Sequence, residues 1–226
     1  MVDVNSMKKE LVVACKTLHK ANLTDSYGHI ALRIPDEDRF LLTPRKSPGV
    51  VSADDILMLD LEGNIIEGSS KVPNEKYIYT SIFKKRRDML GIVHSHTSQI
   101  VVLSVVGEQF KPLSNYGVVF HEGVPIYEKT CLIDSVELGE HVADLLGTHR
   151  AIVLKGHGAV VVGEDLKTVC TSLFYLNEAS KLQIEAMKIG TPRFLSKEEI
   201  LLLAEKVLNP GTVQRVWEYL TDGVVG

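Results

Sequence analysis

Two short, largely apolar runs, Leu90–Val93 and Ala151–Leu154, stop abruptly at histidine-bearing sequence, and they restrict the possible folds of this chain more than any other feature. Runs of this length bounded by polar and turn residues read as buried-type strands. The first continues into His94-Ser95-His96-Thr97 and the second into Lys155-Gly156-His157-Gly158. Side chains two apart on an extended strand share a face, so His94 and His96 could offer two imidazoles to one ion while Ser95 points away. His157 lies between two glycines, and neither carries a side chain that would block close approach of an ion. Three such ligands would leave a coordination position open for water or substrate, as catalytic metals require. The same spacing also suits a plainer arrangement, with His94 at a capped strand end and His157 in a turn.

The rest of the chain supplies helices and hairpins around these two runs. Met7, Leu11, Ala14, Cys15 and Leu18 recur at helical spacing, predicting an amphipathic helix over 6–21 with Ser6 as its N-cap. Ile30–Arg33 and Arg39–Thr43 flank a Pro35-Asp36-Glu37-Asp38 turn, and Asp54–Asp60 and Asn64–Glu67 flank Leu61-Glu62-Gly63, giving two predicted hairpins. Between them, Thr43–Gly49 holds two prolines and two cations, a stiff loop able to hold an anion. Helices are expected over Glu75–Arg87, Gln99–Val106, from a capping-box-like start at Asp134 and Glu137 to Leu146, over 165–189, and from the Ser196/Glu199 capping box to Leu208. Val118–Phe120, Val124–Tyr127 and Val160–Val162 read as extended. With no repeat, low-complexity tract or long linker, the expectation is one α/β domain over 1–226 with mixed, mostly antiparallel strands.

Charge and cysteine usage exclude several functions. A net charge of −4 with both signs interspersed leaves no basic footprint for nucleic acid and no polybasic membrane patch, and the Lys84-Lys85-Arg86-Arg87 cluster reads as a solvated helix end. No apolar run approaches the length of a membrane span. Cys15, Cys131 and Cys170, odd in number and far apart, argue against a disulfide framework. A cytoplasmic protein is expected.

Several motifs fall in one order: Gly28-His29, Thr43-Pro44, Asp55, Asp60-Leu61-Glu62-Gly63, Pro73-Asn74-Glu75, Ile92-Val93-His94-Ser95-His96 and Gly156-His157-Gly158. In that order they resemble the class II aldolase and adducin-head family, over most of the chain. The resemblance implies one divalent metal ion per subunit held by His94, His96 and His157, with zinc or manganese ahead of cobalt or magnesium. It implies that Glu75 is the acid/base that can also touch the resting metal. It further implies a three-layer αβα domain around a central, mostly antiparallel sheet, and a homotetramer with sites at subunit interfaces. Tyr116, the candidate proton donor besides Glu75, lies where the family places a tyrosine that reaches a neighbouring subunit's site, although the correspondence there needs a short gap.

Departures from the family pattern bear on the substrate. Members acting on phosphorylated sugars have Gly-Asn in the early loop and Ser-Ser before the acid/base, groups that cradle a phosphate. Here the matching positions hold Gly28-His29 and Pro73-Asn74, and Pro73 offers neither hydroxyl nor backbone N–H, although Asn74 retains a donor. That pattern looks more like the family's metal-dependent decarboxylases of hydroxylated aromatic or related acids. The expectation is therefore a metal-dependent lyase that stabilises an enolate while decarboxylating a hydroxylated aromatic, or enolisable hydroxy or keto, carboxylic acid, with His29 and Arg45 pairing with the substrate carboxylate, Arg45 by bidentate contact, and Asn74 also binding substrate. An aldolase or epimerase acting on a sugar phosphate is the alternative. A non-catalytic module like the adducin head is a third reading, against which the histidines and Glu75 count.

Overall fold

A computed structural model describes residues 3–224, so the outermost two residues at each end of the expected 1–226 span lie outside the described residues. Helix α1 (Val4–Lys20) turns Leu11, Ala14, Cys15 and Leu18 inward, each at most 1% exposed. It starts earlier than expected. Asp3 rather than Ser6 is the N-cap, its carboxylate accepting from the N–H groups of Asn5 and Ser6 at 3.0 and 3.2 Å. A capping carboxylate also meets the positive end of the helix dipole, an advantage Ser6 lacks.

Strands β1 (His29–Arg33) and β2 (Arg39–Leu42) form the first hairpin, with Ala31 opposite Leu42. Strands β3 (Leu57–Asp60) and β4 (Ile65–Glu67) form the second, closed by Asp60, which accepts from the N–H groups of Glu62 and Asn64 at 3.0 and 2.8 Å. The run from Asp54 does not begin as a strand. Ser52 and Asp55 cap one another and wind Ala53–Asp55 into a 3₁₀ turn. Strands β5 (Gly91–Ser95), β6 (Ile126–Tyr127), β7 (Ala151–Leu154) and β8 (Gly158–Gly163) complete an eight-stranded sheet in the order β4-β3-β2-β1-β5-β8-β7-β6. Only β6 and β7 pair in parallel.

Strand periodicity divides the interior into two cores. Ile30, Leu32, Val93 and Val161 pack with α1, α3 (Ser98–Val105) and α6 (Leu166–Ile189) on one face. Ala31, Ile92, Val160 and Val162 pack with α2 (Lys76–Lys85) and α5 (Val136–Leu146) on the other. The result is a three-layer α/β/α arrangement about a mostly antiparallel sheet. Gly139 allows the second helical layer to close, since a Cβ there would lie 2.4 Å from the Tyr77 carbonyl oxygen.

Other differences from the sequence reading are local. Asn115–Val118 is a single helical turn, α4, where an extended segment was expected to begin. Ser135 rather than Asp134 caps α5, accepting from Leu138 N–H at 3.3 Å. α7 (Lys197–Val207) has its capping box, and a further helix α8 (Pro210–Thr221) follows where the reading stopped; Asn209 caps it and Pro210 supplies the fixed φ of a first helical residue. Each cation of the 84–87 cluster has a carboxylate partner: Glu62 for Lys84, Asp144 for Lys85, Asp88 for Arg86 and Asp38 for Arg87. Among the described residues no helix is long and apolar enough to cross a membrane.

Candidate metal centre and active-site pocket

The parity of β5 carries the two-histidine motif to its place. His94 follows Ile92 on the face covered by α2, opposite His29 on β1 and Val160 on β8. His96 lies just past the end of the strand. The turn from β7 to β8 brings in His157, with Gly156 at φ +64° and His157 N–H donating to the Leu154 carbonyl at 2.9 Å. A side chain at Gly158 would not fit: its Cβ would stand 2.4 Å from the Ser95 carbonyl oxygen, 3.0 Å from His96 Cδ2 and 3.2 Å from His94 Cε1. Strand pairing and a missing side chain therefore bring the three rings together.

One ring nitrogen from each histidine lies within 4.8 Å of the others, and the ring centroids are 4.9 to 5.0 Å apart. His94 Nδ1–H points at the Ala159 carbonyl, 3.1 Å away, which leaves the Nε2 lone pair facing the cluster. The Nε2 atoms of His94 and His96 approach to 3.2 Å. Two ligands on a tetrahedral ion at about 2.05 Å stand roughly 3.4 Å apart, so this approach fits nitrogens sharing a cation. The bond to Ala159 is also the kind of outer contact that fixes the tautomer of a metal-binding histidine. Burial, then the neighbouring imidazoles, pushes His96 down to about 4, and burial and His94 lower His157 as well, so both favour the neutral form a ligand needs. The residues present thus fit a divalent ion.

Glu75 closes the cluster from the N-terminus of α2. One carboxylate oxygen accepts from the Ile133 N–H at 2.9 Å; the other lies 3.5 Å from His94 Nε2 and 3.7 Å from His157 Nε2. Burial alone would raise its pKa. The contact with His94, the Ile133 N–H and the proximity of His157 outweigh burial and hold it at about 2.

These groups open into a cavity of about 450 Å³ that His29, Arg45 and Asn74 also line. His29 is not the cation that a salt bridge to a carboxylate would need, because burial, followed by His94, lowers it to about 4. Its Nδ1 is buried with no hydrogen-bond partner among the described residues. Arg45 is exposed, with its backbone N–H donating to the Lys71 carbonyl at 2.8 Å, and is the one arginine among the described residues that line the cavity. Tyr116 is not brought into this cavity. It stacks on Tyr175 at a centroid distance of 4.7 Å and lines a separate hollow with Ser114, Asn115, Glu178 and Leu182.

Sequence reasoning passed over Asp25, Tyr27 and Leu132, which line the cavity, and Ile133, which holds Glu75. The position of Asp25 and Tyr27 just before Gly28-His29 was the available signal for two of them. Leu132 and Ile133 carried none, since the contact is made by a backbone N–H far along the chain.

Comparison with known proteins identifies the family. Residues 9–184 match the model of the family described as the class II aldolase and adducin N-terminal domain. An L-fuculose phosphate aldolase of Methanocaldococcus jannaschii is 30% identical over 179 residues, covering 78% of this chain and 95% of that protein. A 3,4-dihydroxyphthalate decarboxylase of Arthrobacter keyseri is 24% identical over 199 residues, covering 81% of this chain and 79% of its own. The solved structure of an L-fuculose 1-phosphate aldolase superposes with a TM-score of 0.82 at 25% identity, spanning 88% of this chain and 94% of that one.

Proposed function

The chain belongs to the class II aldolase and adducin N-terminal domain family, whose enzymes include aldolases and decarboxylases, and on that premise we propose that it is a divalent-metal-dependent carbon–carbon lyase acting on a small carboxylic acid. The observation that carries this reading is the convergence of His94, His96, His157 and Glu75, with His94 buried behind the other three, at a cavity bearing Arg45 and no hydroxyl at position 73. His94, His96 and His157 would hold the ion, and their nitrogen donors suit zinc, with manganese the alternative that the family resemblance implies. When bound, that ion supplies a fixed positive charge that draws electron density toward substrate oxygens beside the breaking bond.

The chain's own residues do the remaining work. Arg45 orients the acid through its planar fork. His29, neutral, lines the same cavity and would meet substrate through the accessible edge of its ring. In decarboxylation the bond to the carboxylate carbon breaks, carbon dioxide departs, and the electron pair stays on the substrate carbon. Glu75, ionised at rest, cannot begin as the donor; it first takes the proton of a substrate hydroxyl and then returns it to that carbon, while solvent restores the hydroxyl. Because Tyr116 lies outside its own chain's pocket, its expected role as proton donor would be played toward a neighbouring subunit of a homotetramer. Residues 1–226 are taken as one functional domain.

A second reading, aldol cleavage of a sugar phosphate, is favoured by the 30% identity to a fuculose phosphate aldolase and by the donor retained at Asn74. Protein loaded with zinc or manganese and offered hydroxylated aromatic acids, hydroxy and keto acids and sugar phosphates separates the two. Carbon dioxide release that is lost in His94→Ala is the expected result. Aldehyde release from a sugar phosphate, with no carbon dioxide from any acid, would establish the second reading instead.

A further inference from the structure

Tyr27 and Leu132 are 63% and 51% exposed, yet both line the cavity that holds Glu75, His96 and His157. Single exposed apolar side chains are ordinary on a protein surface; two on the wall of one chemically equipped cavity form a contact surface for a ligand. The backbone beside each is tied to the histidine cluster. Asp25 accepts from the Tyr27 N–H at 2.7 Å, and the next residue, Gly28, has φ +107° and sits so close to β5 that a Cβ would meet the His94 carbonyl at 3.2 Å. The Tyr27 ring stands 5.8 Å from that of His96. Leu132 precedes Ile133, which is fully buried and donates its N–H to Glu75. Neither wall can move far without disturbing a member of the cluster.

We infer that Tyr27 and Leu132 are the specificity walls of this site and select a substrate with a flat, apolar-faced ring, the class of a hydroxylated aromatic acid, over an open-chain sugar phosphate. The inference rests on the lyase reading for its chemistry. A planar ring gains from contact with a tyrosine face and a leucine side chain, whereas a hydroxyl-rich open chain laid on the same surface loses hydrogen bonds to water and gains none. Arg45 on the same cavity then meets the ring's carboxylate.

Calorimetric titration of the zinc-loaded protein with 3,4-dihydroxybenzoate and with dihydroxyacetone phosphate tests this. The wild type should favour the ring acid. Tyr27→Ala and Leu132→Ala should each weaken it about tenfold while zinc affinity and dihydroxyacetone phosphate binding stay unchanged, and Tyr27→Phe should restore ring binding. Ring affinity in Tyr27→Ala within twofold of wild type, or a wild type that favours dihydroxyacetone phosphate, overturns the inference. Zinc uptake without ring preference removes the specificity claim and leaves the lyase reading standing. Ring binding that depends on Tyr27 in a protein that takes up no zinc does the reverse.

Discussion

Replacing Gly158 by Ala tests the physical basis of the candidate centre without touching a proposed ligand. The new Cβ would stand 2.4 Å from the Ser95 carbonyl oxygen, which is backbone of the central strand, and 3.0 and 3.2 Å from carbons of His96 and His94. Ordinary contact begins near 3.4 Å, so β5 and the start of β8 must separate by about 1 Å. Ser95 pairs with Ala159 next to this point, and the same β8 residue's carbonyl accepts from His94, so the displacement falls directly on the histidine pair. Overpacking of this kind costs about 1–3 kcal/mol, which lowers the melting temperature of a chain this size by a few degrees for each kcal/mol and leaves it folded at 25 °C. A 1 Å error in reactive geometry costs on the order of 100-fold in rate. Zinc competition against a chelator should show affinity falling about 10- to 100-fold, with a comparable or larger loss of turnover. A folded Gly158→Ala protein with zinc affinity and turnover within twofold of wild type would refute the argument that this glycine sets the approach of the imidazoles.

Three further outcomes follow from the same geometry. His94→Ala or His157→Ala should remove bound metal and turnover together, and elemental analysis showing a full complement of metal in either variant would discard that ligand. Glu75→Gln preserves shape and the bond from Ile133 N–H; it should retain metal yet lose about 10²- to 10⁴-fold in turnover, so a variant with wild-type single-turnover rates would remove Glu75 from proton transfer. His29 and His96 are held at about 4 in the fold and titrate near 6.5 when unfolded, so the unfolded chain binds more protons through that window. Metal-free protein should therefore lose stability as pH falls from about 6.5 to about 4 and regain it on return, and a melting temperature that is flat over that range would contradict neutral burial of these two rings.

Much of the framework was legible because local patterns and tertiary packing agree. Leu90–Val93 leads into buried strand β5, which runs from Gly91 to Ser95, Ala151–Leu154 is buried strand β7, and the Ser196/Glu199 box caps its helix as expected. The histidines were readable because strand parity and a glycine-flanked turn are local rules. Failures came where two cappers competed within a few residues, as with Asp3 against Ser6 and Ser135 against Asp134, and where Val118 and Val119 were short enough to suit either state. Arg45, Asn74 and His29 do line one cavity, but the electrostatic state of His29 was out of reach, because it depends on a depth of burial set by strands from other parts of the chain. The bond from Ile133 to Glu75 is likewise a product of tertiary structure alone.

The strand order has a kinetic consequence. β5 joins the β1–β4 meander to the β8–β7–β6 half, and roughly 60 residues of intervening chain separate His94 from His157. Closing so long a loop is an entropic cost met only when the β5–β8 ladder zips, which places the complete set of imidazoles late in folding rather than at its nucleus. A metal ion can then bind tightly only to the finished sheet: it should slow unfolding of the native protein while leaving the rate of refolding nearly unchanged.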